Sequence, residues 1–126
     1  DDSGLYFCKF NMYHLIGLEL GISVANVGLR GESTGVSRGF RADVVAVAKK
    51  NLKVGEVLDG EGGYCVAGQL RPSNISVPMK ALPLGLTGEA RMIKDVSEDT
   101  ILTYADVEID EKLSAFKLRK ECETMI

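Results

Sequence analysis

Residues 48–59 read AKKNLKVGEVLD, and residues 92–103 read MIKDVSEDTILT. Laid over each other, they match Lys50 with Lys94, Asn51 with Asp95, Leu52 with Val96, Val57 with Ile101 and Leu58 with Leu102. In each copy a polar, turn-prone tetrapeptide (KVGE, SEDT) precedes an apolar pair. A repeat of about one supersecondary unit, present twice, is too short for a solenoid. It predicts a pseudo-two-fold arrangement inside one small β-rich domain.

The sequence around the first copy fits that prediction. ADVVAVAKKNL, residues 42–52, is Val- and Ala-rich and reads as a buried strand running into an exposed KKN. VLDG then supplies a short second strand. LDGEGGYCVAG, residues 58–68, carries the glycines that a phosphate cradle would need. Gly60 and Gly62 begin a GxGxxG pattern, but Cys65 stands at its third glycine position, and Pro72 arrives before any helix could form. Glu61 would repel a phosphate, and no Gly-Lys-Ser/Thr occurs anywhere. Gly60, Gly62 and Gly63 therefore read as a structural turn needing positive φ or a close chain crossing. No cofactor site is expected in this chain.

Upstream, residues 17–30 place Leu18, Ile22, Ala25, Val27 and Leu29 at helical spacing, with Ser23 as an internal start signal. GESTGVSRGFRA, residues 31–42, reads as a surface linker. The expected organisation is a helical entry segment and linker over 1–42 and a β-rich domain over 43–126. At the far end, Asp110 and the acids after it announce a terminal helix carrying Leu113, Phe116 and Leu118.

The 126 residues allow one domain with a real core, and 45% hydrophobic with 26% charged residues is ordinary for a globular chain. A net charge of -3 gives no reason to expect nucleic acid or an anionic membrane as partner. No apolar run approaches a membrane span, because YHLIGLELGI is interrupted by Glu19. Cys8, Cys65 and Cys122 are odd in number and widely spaced, which argues against a disulfide framework or structural zinc and for a reducing cytoplasm. The opening DDSGLYF has neither an initiator Met nor a basic leader, so a processed chain or a fragment is expected.

The paired units AKKNLKVGEVLDG and MIKDVSEDTILTYADVEI, with LPLGLTGEA between them, resemble the SAF domain. That β-clip family includes sialic acid synthase C-terminal domains, antifreeze-like proteins and flagellar or pilus assembly chaperones. A second resemblance covers nearly the whole chain. YHLIGLELGISVANVGLRGESTG, DVVAVAKKNLKVGEVLDGEGGYCVAG and LPLGL are similar to the C-terminal part of bacterial oxidoreductases of homoserine dehydrogenase-like type. One branch of these is the 1-deoxy-D-xylulose 5-phosphate reductoisomerase-like group. Met12 here precedes the YHL where those proteins carry Pro, and Glu61 stands where they carry an apolar residue. The resemblance implies a mainly β, SAF-type β-clip domain behind a helical segment of a larger enzyme. It also implies a missing N-terminal Rossmann domain that binds NADP or NAD, and a homo-oligomer. This chain would then be inactive alone.

Candidate chemistry is sparse. His14 is the only histidine and the one side chain that ordinarily titrates near neutral pH. With Glu19 close in sequence, it is the candidate for proton transfer, and the resemblance places both near the cleft of the parent enzyme. Lys49 and Lys50, with Arg71, are the candidate anion site. Asp59 and Glu61 are too few to make a metal site. Cys65, in an apolar stretch without a basic neighbour in sequence, is expected to be buried and inert.

Overall fold

The computed structural model describes residues 10, 12–36 and 38–125. The chain divides into two units, 1–37 and 38–126. It is a small mixed α/β structure with an N-terminal helix, two small antiparallel sheets and a C-terminal helix. It is less exclusively β than expected, because much of the pairing in the second unit runs through single bridges rather than long strands.

In the first unit, helix α1 spans Ile16–Ala25 and continues as a π-helical turn over Asn26–Arg30. Gly17, Gly21 and Gly28 do not interrupt it. Ser23 lies inside the helix and starts nothing; the entry is at Leu15, with no side-chain cap. No residue of α1 or its π extension is buried. Leu18, Leu20, Ile22 and Val24 are each 60% or more exposed, so apolar side chains project on two opposite faces.

In the second unit, β1 (Ala42–Ala48) pairs antiparallel with β3 (Val66–Pro72), from Ala42 opposite Pro72 to Ala48 opposite Val66. A second sheet has the order β2-β4-β5, from Val57–Asp59, Gly88–Met92 and Val107–Glu108. A four-residue helix, α2, spans Ser73–Ser76. Leu52 and Val96, aligned with each other in the repeat, exchange both backbone hydrogen bonds, at 2.8 and 3.0 Å. A residue that pairs with its own counterpart marks a local two-fold relation between the copies.

The surrounding bonds obey the same relation. Gly55 N–H donates to the Met92 carbonyl, and the equivalent Asp99 N–H donates to that of Ala48. Met92 N–H reaches the Glu56 carbonyl as Ala48 N–H reaches that of Thr100. Val54 N–H donates to the Asp95 side chain, and Glu98 N–H to that of Asn51. Even the left-handed turn residue repeats, as Gly55 (φ 86) and Asp99 (φ 62). The core follows suit. Ala46 and Ala90, Ala48 and Met92, and Leu58 and Leu102 are equivalent pairs and all buried.

The copies differ at one connection, and that difference accounts for the glycines. Val107 pairs with Met92 as Val66 pairs with Ala48, and Ile93 N–H donates to the Asp106 carbonyl as Lys49 N–H donates to that of Cys65. The second copy reaches this point from Thr103 through the 3-10 turn Tyr104–Asp106. The first must fit residues 60–65 between Asp59 and Val66, three more for the same closure. The longer loop is folded tight by positive φ at Gly60 (76) and Gly62 (78), where a side chain would be strained.

Helix α3, Ser114–Cys122, follows a turn. Asp110 caps that turn, accepting from Lys112 N–H at 2.9 Å, and does not cap the helix, which begins after Leu113. Phe116 of α3 meets the Tyr104 ring edge-on, with centroids 6.0 Å apart, and joins the helix to the core.

Candidate functional site

His14 and Glu19 contact each other through Nδ1 and Oε2, across the entry to α1. Their side chains are 73% and 43% exposed. The helix brings the two candidates together with both side chains open to solvent. Acid–base chemistry by such a pair would need further polypeptide to desolvate it and to fix a substrate pose.

The anion site expected from Lys49, Lys50 and Arg71 is not assembled. Lys49 Nζ donates to the Gly63 carbonyl at 2.6 Å, and Lys50 is ion-paired with Glu56. Arg71 lies near the other end of the β1–β3 ribbon, opposite Asp43, and donates to Gln69 Oε1. At about 3.3 Å per residue, the five steps from Val66 to Arg71 cover about 16 Å, too far for one small anion.

The glycine loop is held by Asp59. Its carboxylate accepts from Tyr64 N–H at 2.5 Å and Cys65 N–H at 3.0 Å, bonds that hold its pKa below the ordinary carboxylate value. Gly63 is needed for space rather than for φ, since a Cβ there would overlap the Asp59 carboxylate. With Asp59 so engaged and Glu61 exposed, the two make no cation site, and the described residues contain no group of three or more potential metal ligands. Cys65 is buried, and burial followed by the neighbouring Asp59 raises its thiol pKa, away from the reactive thiolate. Cys8 lies outside the described residues.

The most elaborate polar cluster escaped the sequence reading. Asp43, 4% exposed on β1, receives both terminal nitrogens of Arg119 from α3 at 2.6 Å and the Ser76 hydroxyl at 2.7 Å. Burial by itself would raise the Asp43 pKa, but the hydrogen bonds from Arg119 and Ser76 outweigh it and leave the carboxyl lowered. Arg119 also donates through Nε to Glu123 and lies 4.7 Å from the centre of the Phe40 ring. Glu123 further accepts from Tyr104 Oη at 3.1 Å and Lys120 Nζ at 2.9 Å. The available signal was Asp43 itself, a lone charge inside a Val/Ala strand.

Beside this cluster, between α3 and the turn at Tyr104, is an open cleft of about 460 Å³. Lys80, Tyr104, Glu111, Phe116, Lys120 and Glu123 are among its lining residues. Lys80 has φ 53, and its carbonyl accepts from Tyr104 N–H. Burial, then the Glu123 charge, push the Tyr104 hydroxyl pKa upward, so it stays a donor. The cleft offers the Lys80 ammonium and the hydrogen-bonded group Tyr104, Glu123 and Lys120 beside the Phe116 ring. Among the described residues no helix is long and apolar enough to cross a membrane. Neither a scan against protein-family models nor a search of curated proteins returns a match for this chain.

Proposed function

We propose that the chain is the C-terminal, SAF-type β-clip region of a larger NAD(P)-dependent oxidoreductase, shaping the substrate cleft and subunit contacts and not catalytic alone. Helix α1 is the observation that carries this reading. A short helix with apolar residues on opposite faces gains its stability from tertiary packing, and none of its residues is buried. Further polypeptide, a Rossmann domain and a second subunit, would cover it. The two-fold bonding of the repeat supports the SAF-type assignment. His14 and Glu19 would then face the substrate cleft that the rest of the enzyme completes.

Calorimetric titration of this chain with NADPH should give no binding, whereas a protein extended by the reading frame upstream of Asp1 should bind it. In that longer protein His14→Gln should lower turnover by about a hundredfold or more while leaving the melting temperature nearly unchanged. Tight NADPH binding by this chain, or a start codon directly before Asp1, would overturn the proposal. The cleft beside α3 favours one other reading, a free-standing SAF-type binding module for a sugar acid or a partner chain. Saturable, millimolar-or-tighter perturbation of Tyr104 and Lys80 signals by gluconate would support that alternative.

A further inference from the structure

A second cleft, of about 340 Å³, opens where the chain enters the second unit. Arg38, Phe40 and Arg41 form one side, Ser73 and Asn74 another, and Met125 closes it. Among the described residues its lining includes two arginines and an asparagine but no acidic residue, in a chain whose acids outnumber its bases by 18 to 15. Among the described residues Arg38 and Arg41 make no ion pair, while Arg119, Lys50, Lys53 and Lys120 all do.

The walls are fixed from behind. Ser73 donates through Oγ to the Phe40 carbonyl at 2.5 Å and through its backbone N–H to the Arg41 carbonyl at 3.0 Å. The Phe40 ring is backed by the Arg119 guanidinium. Behind the Phe40 ring, that same Arg119 is held by Asp43 and Glu123, which fixes the ring's backing. A backbone held at Phe40 and Arg41 thus brings two arginines to one small concavity, residues whose forked guanidinium groups suit a planar or tetrahedral oxyanion.

We infer that this cleft is a binding site for a small oxyanion, a phosphoryl or carboxylate group, held by Arg38 and Arg41 with the Asn74 carboxamide as third donor. The site is separate from the triad Lys49, Lys50 and Arg71 and does not depend on the oxidoreductase reading.

The test titrates the whole chain with inorganic phosphate and, separately, with malonate, each against sodium chloride of equal ionic strength. Backbone amide shifts and melting temperature are the readouts. A saturable shift confined to residues 38–41 and 73–74 is expected. It should come with a rise in melting temperature of about 6–10 °C at about ten times Kd. Which probe saturates first distinguishes a phosphoryl from a carboxylate ligand. Arg38→Gln with Arg41→Gln should abolish the shift. Both side chains are exposed, so the unliganded variant should melt where the parent does. Lys49→Gln with Lys50→Gln should leave binding intact. The inference is overturned if neither probe saturates, if chloride reproduces the shifts, or if a folded Arg38→Gln/Arg41→Gln chain binds as well as the parent.

Discussion

Replacing Asp43 by Asn tests how the C-terminal helix is anchored. The carboxylate is 4% exposed and the Arg119 side chain 11%, so both charges have been taken out of water and depend on each other. Removing one charge of such a pair leaves the other buried and uncompensated, which costs about 3–5 kcal/mol. Asn keeps an acceptor for Ser76, and Arg119 keeps Glu123, so the lower end applies, about 3 kcal/mol. For a unit of this size that lowers the melting temperature by about 12–24 °C. Thermal unfolding followed by circular dichroism, near neutral pH, reads it directly. The double variant Asp43→Val/Arg119→Met, which removes both charges and roughly keeps the combined volume, should recover part of the loss.

The pH dependence has a definite sign. The folded-state pKa of Asp43 is lowered from 3.8, so its stabilisation is complete above that value and disappears as pH falls through the folded pKa. The parent should therefore lose stability on acidification more steeply than Asp43→Asn. A variant melting within about 2 °C of the parent, well short of the shift expected for a lost buried charge, would refute the anchoring role.

Three further outcomes follow from the glycine loop and the thiols. Gly63→Val forces a Cβ into the Asp59 carboxylate and should cost about 1–3 kcal/mol through lost Tyr64 and Cys65 hydrogen bonds; unchanged melting would remove the steric argument. Because those bonds lower the Asp59 pKa, the pH titration of the Tyr64 and Cys65 amide signals should have its midpoint below 3.8. In a Cys8→Ser background, a thiol-reactive disulfide at mildly alkaline pH should label exposed Cys122 quickly and buried Cys65 only on unfolding, and equal rates would contradict the burial of Cys65.

What the sequence determined by itself was local and periodic. The entry helix, the strand at Ala42–Ala48, the turn at Gly55 and the duplication of a twelve-residue unit were legible because hydrophobic spacing and turn chemistry are written in neighbouring residues. The mismatch of residues 58–68 with a dinucleotide motif is likewise a matter of sequence, since the motif requires particular residues at fixed offsets. Tertiary structure decided how the two copies meet. Leu52 bonding to Val96 and Lys53 to Asp95 join residues more than forty positions apart, and no local pattern encodes which partner a free strand edge will take. It also decided the fate of the charges. Lys49 and Lys50 looked available and are consumed by Gly63 and Glu56, whereas Asp43 looked incidental and became the anchor for Arg119 from 76 residues away. An ionic side chain acquires its role from burial and from the partner that folding delivers, and both are properties of the assembled core rather than of the chain's local text.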